Sequence, residues 1–274
     1  MESRKLENLH DSTEATGYAY DETFFRYLQQ GSTRSAEVIV PIILDRLKIS
    51  SVLDVGCGAG AWLAQYRKAG LPRSIGVDGD YVTASSLLIP SSAFVPFDIV
   101  QPFDLGERFD MVQCLEVGEH VPTDSSRTLI ANLVLHSDII LFSAAVPGQG
   151  GENHINEQPY EFWRSLLAAH GFSPYDFLRP LIRGNSHVEP WYRHNAILYV
   201  AENARASLPP AVAATRVPDQ DKIPNVAGTM YRLRTRILAK LSVQTLSRLA
   251  ILKHNWLIMV RGIARPRFTK KQRN

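Results

Sequence analysis

A short glycine-rich bend constrains this chain more than any other feature of its sequence. The run SVLDV at residues 51–55 leads directly into GCGAGA at residues 56–61, after which a helical pattern begins. Glycines allow a tight turn and bring a ligand against bare amides at the start of a helix. Asp78 ends the next strand pattern 22 residues after Gly56, where an acidic side chain can accept hydrogen bonds from ribose hydroxyls. The bend therefore predicts a nucleoside-containing cofactor between a strand and a helix.

Strand and helix patterns alternate through the middle of the chain. The strand patterns lie at residues 51–55, 74–78, 93–98, 109–117, 138–144, 172–178 and 196–202, and helical patterns lie at 60–70, 81–88, 124–134 and 159–170. This alternation predicts an α/β fold with a seven-stranded, mostly parallel sheet that carries helices on both faces. Apolar positions ahead of the sheet predict an N-terminal helical cap, in which Phe24, Phe25 and Tyr27 are expected to close over the cofactor.

Composition divides the chain into four segments. We expect a cap at residues 1–48, a central domain at 49–204, a linker at 205–224 and a basic helical tail at 225–274. The linker prediction rests on prolines and on missing periodicity. The tail holds twelve Lys and Arg and no Asp or Glu, whereas the whole chain has 30 basic and 27 acidic residues. Residues 1–224 therefore carry eighteen basic against all 27 acidic residues, a net charge of −9.

The tail also has apolar residues at helical spacing, between which the basic residues lie. These apolar positions are Met230, Leu233, Ile237, Leu241, Leu249, Leu252, Trp256 and Val260. Three interpretations are open at this point. The stripe packs on the central domain, or the basic amphipathic segment binds an anionic membrane surface, or it binds nucleic acid.

The overall composition is that of a globular protein. With 274 residues, 45% of them hydrophobic and 21% charged, the chain is long enough for a full core, which excludes a fibre or a disulfide-rich miniprotein. The N-terminus shows no apolar leader, and no uninterrupted apolar run is long enough to span a bilayer. Cys57 and Cys114 lie in apolar segments, as reduced thiols do. We therefore expect a cytoplasmic protein, peripherally attached to a membrane if the tail binds lipid.

Asp54, two residues before the first glycine of the bend, separates two classes of cofactor. An anion at this place would repel a pyrophosphate, whereas it would attract the ammonium and sulfonium groups of S-adenosylmethionine. The sequence VLDVGCGAG accordingly resembles motif I of the class I, Rossmann-like methyltransferases that use this cofactor. The segments YDETFF, GSTRSAE, VPGQGGENHINEQPYEFW and VEPWYRHN look like a group of bacterial methyltransferases associated with sugar and surface-polysaccharide modification.

The resemblance implies a set of cofactor-binding residues. Asp98, after the third strand, is expected to meet the adenine amino group, and Asp78 is expected to bind the ribose. Arg34 is expected to pair with the methionine carboxylate, because a guanidinium binds a carboxylate through two parallel hydrogen bonds. The remaining predicted contacts are Asp54, Gly56, Cys57, Gly58, Gly60, Cys114 and Leu115.

The fourth strand ends in a cluster, E-x-x-E-H, formed by Glu116, Glu119 and His120. A helical segment would place all three side chains on one face. The cluster resembles the metal site of the ubiquinone-pathway O-methyltransferases and of the small-RNA 2′-O-methyltransferases, which use a later histidine, here His154. These four residues suit Mg²⁺ or Mn²⁺. Two alternatives stay open: a metal-free site in which His120 or His154 is the general base, with Glu119 also catalytic, and a structural role.

The sequence thus predicts an S-adenosylmethionine-dependent O-methyltransferase that acts on a hydroxyl of a sugar or glycoconjugate. Glu189 and the Trp191–Tyr192 pair precede the last strand, where the acceptor loops of this fold lie, and are expected to bind the sugar or to pack beneath the loop. Methylation of an RNA ribose is a second possibility, against which the negative body argues, because nucleic-acid binding depends on phosphate neutralisation. A third is a non-catalytic module that binds the cofactor.

Overall fold

The computed structural model describes residues 22–260, with side chains from residue 30 to residue 252. The polar start of the predicted cap, the end of the tail after residue 260, and the side chains of Phe24, Phe25, Tyr27, Trp256 and Val260 lie outside this description.

Seven strands form one sheet, as the alternating patterns predict. They are β1 (Ser51–Val55), β2 (Arg73–Asp78), β3 (Phe94–Pro96), β4 (Met111–Leu115), β5 (Ile139–Ser143), β6 (Phe172–Tyr175) and β7 (Ile197–Ala201). Their order across the sheet is β3-β2-β1-β4-β5-β7-β6, and only β7 runs antiparallel to its neighbours. The central strands are almost wholly buried, which is why they are nearly continuous apolar runs.

Helices cover the sheet and extend beyond it. They are α1 (Glu22–Leu47), α2 (Ala61–Lys68), α3 (Ser126–His136), α4 (Tyr160–Ala168), α5 (Leu178–Ile182), α6 (Pro190–Asn195), α7 (Pro210–Ala213), α8 (Thr229–Leu238) and α9 (Val243–Val260). Residues 81–88 contain a single 3₁₀ turn at Ala84–Ser86 in place of the predicted helix. None of the residues in that turn is buried, so there is no core face to stabilise a longer helix.

Residues 205–224, which the sequence predicts to be a linker, lie against the central domain. Four apolar side chains of this segment are buried: Leu208, Val212, Val217 and Ile223. Arg164 of α4 donates hydrogen bonds to the carbonyl oxygens of Pro218 and Asp221, and Val217 N donates to Pro174 O on β6 at 2.9 Å. Prolines and short turns hide this packing in the sequence because they remove the periodicity by which packed elements are recognised.

The tail helices present their apolar stripe to solvent. Six members of the stripe are exposed: Met230, Leu233, Ile237, Leu241, Leu249 and Leu252. The buried positions are instead Thr235 on α8 and Leu246 on α9. The interpretation in which the stripe packs on the domain is therefore wrong for these six residues. Within residues 22–260, no helix is long and apolar enough to cross a membrane.

Candidate active site

The glycine bend connects β1 to α2 at the carboxyl edge of the sheet. Gly56 N and Cys57 N both donate to Val77 O, at 2.8 and 3.2 Å, and so hold the bend against β2. Gly56 and Gly58 have positive φ angles of 80° and 52°. A Cβ on Gly56 would lie 2.3 Å from Val117 Cγ2, whereas a Cβ on Gly58 would meet nothing within 4 Å. The bend is thus packed tightly beneath and open above Gly58, which suits the close approach of a ligand.

Gly60 ends the bend and starts the helix. It has a φ of 83° and is the N-cap of α2, whose first turn follows at Ala61. A Cβ here would lie 2.9 Å from Ile89 Cγ1. Glycine suits this position because it tolerates the positive φ and leaves room for the Ile89 side chain. The strand, bend and helix predicted from the sequence are confirmed at these residues.

Asp78, at the end of β2, is held by three donors. Gly58 N donates to Oδ2 at 2.6 Å, Gly79 N donates to Oδ1 at 2.7 Å, and the Tyr81 hydroxyl also donates to Oδ1. Burial raises the pKa of Asp78, and these hydrogen bonds oppose the rise. The carboxylate is thereby fixed beside the open face of the bend, where a ribose is expected.

Asp54 is buried inside the site and only partly satisfied. Its side chain is 2% exposed, and its Oδ2 has no hydrogen-bond partner among the described residues. Burial raises the pKa of Asp54 to about 7. A buried carboxylate without a full set of partners is costly unless a cation or donor reaches it. The ammonium and sulfonium groups of S-adenosylmethionine meet that need, so the residues present fit the cofactor.

The other predicted cofactor contacts lie around the same edge. Cys57 and Cys114 are buried thiols, and Leu115 is buried at the end of β4. Asp98 is exposed after β3, and its Oδ1 accepts the Val100 amide at 3.3 Å. These positions are compatible with the predicted contacts, which stay predictions.

Arg34 forms an ion pair with Glu189. Its Nη2 donates to Glu189 Oε1 at 2.8 Å, which ties the cap helix α1 to the start of α6. Next to this pair, Ser32 Oγ and the Tyr192 hydroxyl are 3.0 Å apart, and the Tyr192 ring packs edge-on against Trp62. Tyr192 therefore packs beneath the loop, whereas Trp191 stays partly exposed.

The E-x-x-E-H segment is not an α-helix. Glu116 has a φ of 57°, and Gly118–His120 form one 3₁₀ turn. The expected common helix face is therefore absent here. Glu116 N donates to Ser143 O on β5 at 2.9 Å, which continues the pairing of β4 with β5 before the chain turns. Glu116 is not one of the three described side chains whose ligand atoms converge, but it lies beside them, and its charge adds to the burial that raises the pKa of Glu119.

Glu116 is engaged by two amides beside the cluster. Gln149 Nε2 donates to its Oε2 at 2.9 Å and Asn195 Nδ2 to its Oε1 at 3.3 Å. Asn195 Nδ2 also donates to Gln149 Oε1 at 2.9 Å. Burial raises the pKa of Glu116, and the hydrogen bonds oppose the rise.

Three of the four residues predicted to bind a metal ion, Glu119, His120 and His154, come together. One ligand atom from each lies within 4.8 Å of the others, and the two imidazole rings meet edge-on with centroids 4.9 Å apart. Glu119 is 1% exposed, and its Oε2 has no hydrogen-bond partner among the described residues. One carboxylate and two imidazoles form a donor set that binds divalent metal ions. The orphaned carboxylate oxygen fits the same interpretation.

Each imidazole of the cluster is oriented through its other nitrogen. His120 Nδ1 is 3.2 Å from Asn153 O, and His154 Nδ1 is 2.9 Å from Glu157 Oε1. Such contacts fix the ring of a metal-binding histidine and leave Nε2 toward the ion. Burial lowers the pKa of His120 to about 4, with the charge of His154 as a further cause. His120 is therefore neutral near pH 7, which is the form that binds metal.

Glu157 contacts the candidate site and was not identified from the sequence. Besides its contact with His154, the Glu157 carboxylate accepts hydrogen bonds from Gly148 N and Gly150 N, each at 2.7 Å, and so stabilises the loop after β5. A Cβ on Gly151 would lie 2.0 Å from His154 Nε2, so glycine is required for that ring position. The segment GQGGENHINE contained the signal, because a carboxylate three residues after the predicted metal-binding histidine can accept a hydrogen bond from its ring.

The family model described as a methyltransferase domain matches residues 20–175, more than half of the chain. No curated protein matches the chain. Among solved structures, a sugar N-methyltransferase from a Streptoalloteichus species is 19% identical, with 71% of this chain and 99% of that chain covered and a TM-score of 0.49.

Two further structures show a similar degree of likeness. Magnesium protoporphyrin IX methyltransferase from Synechocystis, with bound S-adenosylmethionine, is 21% identical, with 67% of this chain and 86% of that chain covered and a TM-score of 0.48. An amino pentose methyltransferase from Micromonospora echinaspora is 18% identical, with 66% and 98% covered and a TM-score of 0.46.

Proposed function

The chain belongs to the family of S-adenosylmethionine-dependent methyltransferase domains, and we propose that it methylates a hydroxyl group of a sugar or glycoconjugate with the help of a divalent metal ion. The observation that carries this proposal is the cluster of Glu119, His120 and His154. In this cluster a buried carboxylate oxygen of Glu119 has no hydrogen-bond partner among the described residues. The Nδ1 atoms of both imidazoles already contact other oxygen atoms of the chain.

The cofactor side of the proposal rests on the glycine bend. Gly58 leaves space for the nucleoside, and Asp78 offers carboxylate oxygens to a ribose. Asp54 presents an unsatisfied buried oxygen to the cationic part of the cofactor. The bend follows β1, and the E-x-x-E-H turn follows β4. Because these two strands pair in parallel, the cofactor and the acceptor would meet at the same edge of the sheet.

A metal ion at the cluster would lower the pKa of a bound hydroxyl and so supply a better nucleophile. The residues of the chain would hold and orient the reactants. Glu119 and the two histidines would bind the metal ion, and the Glu157 carboxylate would hold the His154 ring in place. Glu119 is buried, which strengthens its electrostatic contacts, whereas the two histidines are partly exposed. In a metal-free site, His120 or His154 would instead accept the hydroxyl proton.

A sugar suits the surroundings of the cluster. Helix α6 carries Asn195 at its end, and the amides of Asn195 and Gln149 contact Glu116 beside the cluster. The same helix carries the partly exposed Trp191. A sugar ring has apolar faces, so a partly exposed aromatic side chain on this helix supports this acceptor class.

The test is methyl transfer before and after metal removal. Purified full-length protein is incubated with radiolabelled S-adenosylmethionine and a panel of glycosides, and the methylated atom is identified by NMR. We expect methylation of a hydroxyl oxygen, loss of at least about 100-fold in rate with EDTA, and recovery with Mn²⁺. Glu119→Gln should remain inactive with Mn²⁺, whereas Asp124→Asn, an exposed acid outside the cluster, should match the unmodified protein.

Three results would contradict the proposal. Activity that survives exhaustive EDTA treatment would remove the metal ion and leave a histidine base. Transfer only to amino groups would overturn O-methylation. Label that enters an RNA ribose and no glycoside would replace the sugar acceptor.

A further inference from the structure

Helices α8 and α9 carry an apolar face that no part of the described chain covers. Met230, Leu233 and Ile237 follow one another at spacings of three and four on α8 and are 77%, 50% and 58% exposed. Leu249 and Leu252 on α9 are 45% and 63% exposed. We call these five residues the outer apolar row. Isolated exposed leucines are ordinary, but five exposed large apolar residues on two successive helices indicate an interaction surface.

The opposite side of these helices is anchored to the candidate active site. A Cβ on Gly148 would lie 1.9 Å from Thr235 O, so α8 lies directly on the loop after β5. Arg234 Nη1 donates to Gln149 O at 3.1 Å, and the Tyr231 ring meets His194 edge-on. The orientation of α8 is therefore fixed from the inside, and the outer apolar row faces outward as a consequence.

The charge of this segment identifies the occupant. Besides Arg234, which binds Gln149 O on the inner side, four described side chains on α8, on α9 and between them are basic: Arg232, Arg236, Lys240 and Arg248. Residues 225–274 contain no acidic residue at all, whereas the rest of the chain has a net charge of −9. A second copy bound face to face would bring two positive segments together, which is unfavourable. An apolar surface bordered by Arg and Lys is instead complementary to a bilayer that contains anionic lipids.

We propose that the outer apolar row of α8 and α9, with its flanking basic residues, binds the surface of an anionic membrane. The loop that carries Gln149, His154 and Glu157 lies on the inner side of the same helices, so binding would hold the candidate active site close to the bilayer. If the proposed function holds, on which this last step rests, the acceptor is a sugar presented at the membrane.

Vesicle sedimentation with the full-length protein tests the proposal. We expect binding to vesicles of phosphatidylcholine with about 30% phosphatidylglycerol, weak binding to phosphatidylcholine alone, and weakening with salt. The double variant Leu233→Gln/Ile237→Gln should reduce the partition coefficient by about tenfold or more, because both side chains are exposed and contribute apolar area to the bound state.

Leu135→Gln is the matched control, since Leu135 is 45% exposed on α3 and outside the row. It should bind vesicles as the unmodified protein does. The proposal is overturned if anionic vesicles are not bound, if the double variant binds them equally well, or if light scattering shows a dimer that the double variant abolishes. Sedimentation requires no methyl transfer, so an inactive acceptor panel would not change its result.

Discussion

Asp54 is the residue on which recognition of the cofactor depends most. Burial raises its pKa to about 7, and its Oδ2 lacks a partner among residues 22–260. The folded, ligand-free protein therefore favours the protonated form, and its stability falls as the pH rises from the unfolded value near 4 to about 7. A cationic ligand favours the ionised form, so its binding follows the opposite direction with pH.

The protonation of Asp54 should make the affinity for S-adenosylmethionine depend on pH. S-adenosylmethionine should bind about tenfold more weakly near pH 6 than near pH 8, because the carboxyl group is largely protonated at the lower value. Asp54→Asn should bind weakly at both values with a smaller ratio, which calorimetric titration measures. An identical ratio in the variant would mean that another group causes the pH dependence.

Glu157 contacts His154 without belonging to the cluster of Glu119, His120 and His154. Its carboxylate holds His154 Nδ1 and two backbone amides of the loop. We expect Glu157→Gln to weaken Mn²⁺ binding by about 10- to 100-fold, since partners of ligand histidines have effects of this size. Mn²⁺ titration with Glu202→Gln as an exposed control measures this, and an unchanged dissociation constant would show that the contact is structural only.

At the scale of elements, the sequence predicts the sheet better than its surroundings. The strand SVLDV and the bend after it were predictable because hydrophobic burial and glycine geometry are local. The turn at Glu116 was not, since a residue other than glycine gives no local signal for its positive φ of 57°. The cluster of Glu119, His120 and His154 was identified through resemblance, whereas the contact of Glu157 with His154 required the loop conformation.

The contact between α8 and the loop after β5 allows a test with matched glycines. Gly148 and Gly171 have φ angles of 79° and 80°, but a Cβ on Gly148 would meet Thr235 O, whereas a Cβ on Gly171 would meet nothing within 4 Å. Both alanine variants share the backbone strain of about 1 kcal/mol. Only Gly148→Ala should speed hydrogen exchange in α8. Equal exchange in both variants would show that α8 does not rest on this loop.

At the scale of the whole molecule, the packed segment at residues 205–224 belongs to the folded body. A chain that ends at residue 224 should keep a melting temperature within a few degrees of the full protein. A chain that ends at residue 204 loses four buried apolar side chains, each contributing about 1.5–3 kcal/mol. We expect its melting temperature to fall by at least about 10 °C. Equal melting of the two truncations would restore the linker interpretation.

We propose that one edge of the sheet holds a cationic cofactor and a divalent metal ion side by side. Crystals grown with S-adenosylhomocysteine and soaked with Mn²⁺ would reveal both by anomalous diffraction. We expect a manganese peak about 2 Å from a Glu119 oxygen and from Nε2 of His120 and His154, with the nucleoside over Gly58. A bound nucleoside without any anomalous peak among these three side chains would contradict it.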